Sequence, residues 1–265
     1  MIYWNVSAAQ HVGGRRIQED SVAVFLTADR STTLGVVADG LGGHGSGEVA
    51  SRIVIDVARD FWGRLPGRHE NGSSLLDELI EVANQRILEQ QIECGNEART
   101  TVCCALVRDG EVNVTSIGDS RAYLLRRGRE FRRLTRDHSV TEMLLATGEI
   151  NEEAMRGHPD SSRLTQSLGS SSPLAPFRVA TRRAHPGDVI LLCSDGLWQV
   201  IADLELASAL KRFDACTTEH MVQMAATRGG TDGDNVSAVV LKSNGTWFGD
   251  LLLGLASKFA SGSTQ

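Results

Sequence analysis

The 265-residue chain is predicted to adopt an α+β fold in which helices cover sheets in layers. Two observations lead there. Strand-like runs arrive in groups separated by groups of paired helices, instead of alternating one for one. In addition, five acidic positions from the Glu19-Asp20 pair to Asp234, the pair counted as one, each stand where an apolar, strand-like run begins or ends. With 41% hydrophobic residues the chain can bury one large core. No repeat or low-complexity linker divides it, so one domain is expected over 1–242, followed by a 243–265 tail.

Two strands are expected first, at 21–26 and 33–38, joined by the polar segment 27–31. A helix from Glu48 to about Trp62 places Val49, Ala50, Ile53, Val54, Val57, Ala58 and Phe61 on one face. The loop 65–73 ends it, and a second helix runs from about Leu75 to Glu93 on Leu76, Leu79, Ile80, Ala83, Ile87 and Leu88. Strand patterns return at Thr101–Arg108, Glu111–Ile117, Ala122–Arg126 and Glu130–Leu134. Ser139-x-x-Glu142 reads as a capping box opening a short helix that Gly148 closes. Residues 151–172 are polar and poorly periodic. Strands at 177–183 and 188–193, helices at 203–212 and 218–228, and a strand at 235–242 complete the domain.

Composition removes several classes of function. A net charge of −6 argues against a general nucleic-acid binder, which needs a basic face. Five cysteines, an odd count without Cys-x-x-Cys, show no disulfide rhythm. The start lacks the basic and apolar regions of a signal peptide. No apolar stretch reaches the ~18 residues of a membrane span. A cytoplasmic, soluble and reduced protein is expected.

The acids carry the functional argument. Glu19 and Asp20 precede the strand at 21; Asp39, Asp119 and Asp195 follow apolar runs; Asp234 precedes the last strand. In an antiparallel sheet the end of one strand lies beside the start of its neighbour, so all can gather at one end of the assembly. Unneutralised, each pair would cost roughly 4 kcal/mol at about 4 Å and an effective dielectric of about 20. Divalent metal makes such a cluster tolerable. Asp-Gly pairs also make plain turns, and Asp109-Gly110, between two alternating runs, is read as a hairpin turn. Asp39-Gly40 and Asp195-Gly196 differ because each follows a continuous apolar run.

Gly40-Leu-Gly-Gly-His-Gly fits the dinucleotide pattern G-x-G-x-x-G. That reading is rejected, because Asp39 would put negative charge against a pyrophosphate. The acid expected about 20 residues on would be Asp60, late in the amphipathic helix. The glycines can instead let the backbone pass close to a metal, with the Gly40 carbonyl able to serve as a ligand; a plain turn is the alternative reading. Arg15, on the approach to the first strand, could fork onto a phosphate held over the metals, although on sequence alone a surface arginine beside Arg16 is the favoured reading. No cysteine follows a histidine or has arginine six residues on, so a cysteine-phosphatase cradle is absent. So are a P-loop and a His-x-x-x-His zinc helix.

Seven segments then stand in a specific order: Arg15-Arg-Ile-Gln-Glu-Asp20, Val37-Ala-Asp-Gly-Leu-Gly-Gly-His-Gly-Ser-Gly-Glu-Val-Ala-Ser51, Ile117-Gly-Asp-Ser-Arg-Ala-Tyr123, Leu134-Thr-Arg-Asp-His-Ser139, His158-Pro with Leu164-Thr-Gln-Ser-Leu-Gly169, Cys193-Ser-Asp-Gly-Leu-Trp198 and Gly233-Asp-Asn-Val-Ser237. Together, from about residue 8 to 242, they resemble the metal-dependent protein phosphatases of the PPM, or type 2C, class, and its compact bacterial members most closely. The resemblance implies two antiparallel sheets packed as a sandwich and flanked by helix pairs. It also implies two tightly bound Mn²⁺ or Mg²⁺ ions at one end. By motif position, Asp20, Asp39, Asp195 and Asp234 would hold the pair, with Asp39 bridging, Gly40 adding its carbonyl and Glu19 acting through water. Asp119, with Asp195, would hold a third, weaker metal, and Arg15 would bind phosphate. Gln18 stands where the family has Asn. Leu41 fills the place of a histidine proposed as general acid in some relatives, and His44 does not match that position.

The implied function is a serine/threonine phosphoprotein phosphatase that reverses a bacterial Ser/Thr kinase. Two divalent ions sharing a water would lower its pKa, so that hydroxide attacks phosphorus in line while Arg15 absorbs charge. The competing readings are a phosphatase of another phosphoester and a non-catalytic phosphoprotein-binding module; the intact acid set argues against the second. Three further features are expected: a solvated basic hairpin or docking surface at Arg126–Arg136, a flap beside the site over 148–169, and a tail with Trp247, Phe248, Leu251, Leu252, Leu255 and Phe259 on one helical face.

Overall fold

The computed structural model describes residues 2–42 and 46–245. His44 and the apolar tail face from Trp247 onward lie outside the described residues. Twelve strands are present among them: β1 (Tyr3–His11), β2 (Ser21–Leu26), β3 (Thr33–Ala38), β4 (Gly40–Leu41), β5 (Arg99–Thr100), β6 (Val102–Arg108), β7 (Glu111–Ile117), β8 (Arg121–Arg126), β9 (Glu130–Arg133), β10 (Phe177–Arg183), β11 (Val189–Cys193) and β12 (Val236–Asn244). The helices are α1 (Ser46–Arg64), α2 (Gly72–Cys94), α3 (Val140–Thr147), α4 (Glu152–Met155), α5 (Asp195–Trp198), α6 (Asp203–Lys211) and α7 (Thr217–Gly229).

One five-stranded sheet has the order β1-β12-β11-β8-β9 and the other β10-β7-β6-β3-β2, while β4 and β5 pair separately. Every pairing is antiparallel. Alternation along each strand sorts side chains into three apolar layers. Leu34, Val36, Cys104 and Leu106 face the α1–α2 pair, joining Val54, Phe61, Leu76, Ile80 and Ile87. Leu191, Cys193, Ala238 and Val240 face α6 and α7 with Leu206, Leu210, Met221 and Ala225. Between the sheets lie Trp4, Val37, Ala105, Leu124, Ile190, Leu192 and Val239. Both faces of the central strands are therefore covered, which is why they read as unbroken apolar runs instead of alternating ones. This is the expected α+β sandwich flanked by helix pairs.

The local signals act as read in several places. Asp109 (φ 53°) and Gly110 (φ 77°) form the left-handed turn of the β6–β7 hairpin. Asn71 caps α2 by accepting from the Ser74 N–H, and Gly95 closes it in a left-handed conformation. Ser139 Oγ likewise accepts the Glu142 N–H at the start of α3, and Gly148 ends that helix. Glu142 does not complete the box. Its carboxylate is taken by Arg133 at 2.8 Å, a charged partner that outcompetes a backbone N–H.

Two expectations are corrected. The N-terminal nine residues of β1 were not expected as a strand. Tyr-Trp-Asn-Val-Ser-Ala-Ala-Gln-His has weak period-two patterning, and among the described residues its only sheet partner is β12, more than 200 residues away. The last strand extends to Asn244, past the expected boundary at 242, because β1 continues beside it as far as the Tyr3↔Asn244 pair.

Candidate metal centre

Register brings the acids together. Ser21 pairs with Ala38, so Asp20 and Asp39 flank one pair of strand ends. Val102 pairs with Ile117, which carries Asp119 to the same edge of that sheet. In the facing sheet Cys193 pairs with Ala238, placing Asp195 beside the entry to β12 and Asp234. Arg15, Glu19, Asp39, Gly40, Asp119, Asp195 and Asp234 line one cleft of about 210 Å³. Asp20 lies beneath that wall, 4% exposed, with Ser194 Oγ donating to its Oδ2 at 2.8 Å.

The main chain around Asp39 is fixed from both sides. Its N–H donates to Thr101 Oγ1 at 3.0 Å, and its carbonyl accepts from the Thr101 N–H and from Thr100 Oγ1, each at 2.8 Å. Gly40 is then obligatory: an added Cβ would lie 2.4 Å from both the Glu19 and Gly47 carbonyl oxygens. The Asp39-Gly40 pair is therefore no turn, since Gly40 enters β4 opposite Thr100. The dinucleotide reading fails as well. Asp60 sits on α1 and pairs with Arg86 at 2.9 Å.

On the other side, the loop before β2 packs directly on the entry to β12. Gly13 is left-handed (φ 63°), and a Cβ there would meet the Asp234 carbonyl oxygen at 1.9 Å. Asn235 ties the two segments together. It donates from Nδ2 to the Val12 and Ile17 carbonyls at 2.8 and 3.0 Å and accepts the Glu19 N–H at 2.7 Å. This brings Arg15 Nη2 to 2.8 Å from Asp234 Oδ2. Gln18 does the local work at its position by accepting the Asp20 N–H at 3.1 Å.

The carboxylates strain one another electrostatically. Burial pushes the Asp20 carboxyl up to about 7, with Asp195 and Asp234 adding to the rise against hydrogen bonds from Ser237 and Ser194. Asp195 rises to about 6, through burial and then the charge of Asp234. Asp39 is raised well above the usual range by burial and by Asp20, Asp195, Asp119 and Asp234. Asp119 is raised well above it by burial, Asp195 and Asp137. Glu19 is raised by burial, which outweighs the opposing pull of Arg15.

Among the described residues no three acidic, histidine or cysteine side chains are already closed around a single ion. The oxygens instead rest on protein donors: Ser194 on Asp20, Gln199 Nε2 on Asp195 at 2.9 Å, and Arg15 on Asp234. The donor set still fits a hard divalent cation. It is all oxygen, it surrounds one cleft, and its mutual repulsion is the kind that a cation removes.

Sequence reasoning left three supporting residues without roles. Asn235 clamps the Arg15 loop. Trp198 donates from Nε1 to the Asp119 carbonyl at 3.0 Å. Its ring is covered by the Arg121 guanidinium at 3.4 Å, which forks onto buried Asp137 at 2.6 and 3.0 Å. All three stand inside the ordered motifs, so their position was visible and their contacts were not. The 148–169 segment reaches the site, with Ser162 and Leu164 on the cleft wall, and is anchored by the Ser139↔Leu164 and Thr100↔Leu168 bridges. The basic hairpin is partly neutralised. Arg126 meets Asp188 at 3.8 Å, Arg132 meets Glu130 at 3.8 Å, and Arg133 meets Glu142 at 2.8 Å.

Both the sequence and the fold are shared with known proteins. The sequence model described as Protein phosphatase 2C matches residues 9–232. The serine/threonine phosphatase stp of Listeria welshimeri is 31% identical over 240 residues, covering 87% of this chain and 92% of that protein. The crystal structure of the Mycobacterium tuberculosis serine/threonine phosphatase PstP/Ppp superposes with a TM-score of 0.79 at 33% identity, over 91% of this chain and 99% of that one. A structure of the PstP catalytic domain with two manganese ions gives a TM-score of 0.78 at 30% identity, over 92% and 100% of the two chains.

Proposed function

Because the chain belongs to the protein phosphatase 2C family and is a metal-dependent serine/threonine protein phosphatase, we propose that the cleft between its two sheets is the centre where phosphoserine and phosphothreonine are hydrolysed. In this reading Asp20, Asp39, Asp195 and Asp234, with the Gly40 carbonyl, hold two Mn²⁺ or Mg²⁺ ions, and Glu19 acts through water. Asp119, with Asp195, holds a third. A bound pair of this kind neutralises charge and acidifies water. The observation that carries the assignment is the convergence of Glu19, Asp39, Asp119, Asp195 and Asp234 on one cleft, with buried Asp20 beneath its wall.

The protein's own groups prepare the rest. Thr100, Thr101 and Gly40 hold the Asp39 backbone, so that its carboxylate direction is set before substrate arrives. Asn235 holds the loop that carries Arg15. The Arg15–Asp234 pair is exposed on both sides, at 56% and 41%, so it contributes at most about 1 kcal/mol. A phosphate offering two oxygens to the guanidinium is a stronger partner, and Arg15 can exchange one for the other by a side-chain movement. The substrates proposed are a bacterial Ser/Thr kinase or that kinase's targets, met in the cytoplasm.

Titrating chelator-treated protein with Mn²⁺ by calorimetry, beside hydrolysis of phosphoserine, phosphothreonine and phosphotyrosine peptides, tests the assignment. Two tight sites and metal-dependent cleavage of the first two peptides are expected. Full activity in excess EDTA would overturn it.

A further inference from the structure

Beside the acid cleft runs a larger groove of about 750 Å³, and the two share Leu41, Gly42, Ser162 and Leu164. The inner wall of the groove is β5 with the residues before it, Asn96 and Glu97; its outer wall is the flap segment around Leu164 and Gln166. A phosphorylated side chain in the acid cleft belongs to a polypeptide whose flanking residues can leave past these shared residues. The groove is a continuous space open to them.

Its charge is set by two side chains. Arg99 lies opposite Leu41 in the β4–β5 pair, and Leu41 directly follows Gly40 on the cleft wall. Partner Cα atoms across such a pair stand about 5 Å apart, so Arg99 is two or three residues of extended chain, at about 3.3 Å each, from Gly40 on the cleft wall. Its side chain is exposed, and among the described residues it has no hydrogen bond or ion pair. Glu97 stands on the same wall, two residues farther from the cleft-side pair, and does not neutralise it. Elsewhere on this molecule arginines near acids are paired, as Arg68, Arg133, Arg156 and Arg178 are. A guanidinium without a counter-charge, in a groove continuous with the catalytic cleft, is available to the substrate.

We propose that this groove receives the polypeptide flanking the phosphorylated residue, and that Arg99 selects substrates with an anionic side chain two or three positions away. Aspartate, glutamate or a second phosphate all present the same chemistry to it. The inference rests on the protein-phosphatase reading and adds a substrate preference to it.

The test uses the full chain with Mn²⁺ and three kinds of phosphothreonine peptide. They carry Asp, Ala or Lys at each of the three positions on either side, with a doubly phosphorylated set beside them. p-Nitrophenyl phosphate, which has no flank, serves as the control substrate. Wild type is expected to favour an acidic flank at one or two positions by about three- to tenfold in kcat/KM over Ala, mainly through KM. A larger effect for the second phosphate than for Asp would name phosphate as the preferred anion; the reverse would name carboxylate. Arg99→Ala should erase the preference while p-nitrophenyl phosphate turnover stays within about twofold, and Arg99→Glu should turn the preference toward Lys. Equal hydrolysis of all flanks by wild type would overturn the proposal alone. So would a uniform fall on every substrate in Arg99→Ala, because that marks a structural role for the β4–β5 pair. Hydrolysis of p-nitrophenyl phosphate without any phosphopeptide would overturn the protein-phosphatase reading, and the proposal with it.

Discussion

Asp20→Asn should make the metal-free protein more stable, although it removes a residue assigned to metal binding. The Asp20 carboxyl is shifted from 3.8 to about 7 by burial and neighbouring carboxylates. A tenfold change in proton affinity corresponds to about 1.4 kcal/mol, so the ionised form costs the folded state on the order of 4 kcal/mol. The sign follows from proton linkage. The folded state binds this proton more tightly than the unfolded chain, so the cost is absent below about pH 4, grows as pH rises and is complete above about pH 7. An amide keeps the shape and still accepts from Ser194, now at 2.8 Å, but weakens the charged hydrogen bonds by about 1 kcal/mol each. A net gain of about 2 kcal/mol at pH 8 remains, or about 4–8 °C in Tm for a protein of this size. Melting curves of wild type and variant in EDTA at pH 5 and pH 8 provide the assay. The variant should lead at pH 8 and the gap should close toward pH 5. With Mn²⁺ added, wild type should gain by linkage and the order should reverse. A variant that melts below wild type in EDTA at pH 8, or a gap indifferent to pH, refutes the electrostatic account.

Asp39→Asn and Asp234→Asn should each lower kcat by at least about 100-fold and weaken Mn²⁺ binding in calorimetry, with unchanged circular dichroism. Arg15→Ala should raise KM for phosphopeptides by about tenfold and alter kcat less, because phosphate is held in both ground and transition states; initial-rate kinetics separate the two. Asp119→Ala should retain two tight metals in a titration while kcat falls; loss of the tight pair would remove Asp119 from its third-metal role. Asn235→Ala strips three hydrogen bonds from a buried clamp, and a fall of several degrees in Tm with a raised KM is expected from melts and kinetics on one preparation.

Much of this arrangement was legible because both signals, apolar runs and the acids at their ends, are local. Each central strand is buried on two faces, so its run of Val, Leu and Ala stands out without knowledge of its partners. The Asp39-Gly40 and Asp195-Gly196 pairs were separable from the ordinary turn at Asp109-Gly110 by the same means. What stayed hidden depends on distant partners. β1 has little period of its own and is a strand because β12 hydrogen-bonds to it. The roles of Asn235 and Trp198 are directional contacts across 216 and 79 residues of sequence, and no spacing encodes them. Asp20 was expected among the ligands, but only the structure shows it seated below the cleft wall. Arg99 carried no motif at all. Its interest comes from lying opposite Leu41, which is a matter of register.

The pairing of β1 with β12 also has a consequence for how the protein comes into being. His11 and its partner Val236 are 225 residues apart. At the ribosomal pace of about 5–20 residues per second, the first strand waits roughly 10–45 s for the strand it needs. Contacts of such long range also slow the final closure. During that interval a nascent chain already carries Arg15, Asp20 and Asp39 but has neither Asp234 nor the strand behind it. On the proposed site assignment, hydrolytic competence then waits until synthesis has passed β12, and a product broken off earlier carries an unpaired strand edge, a template for aggregation.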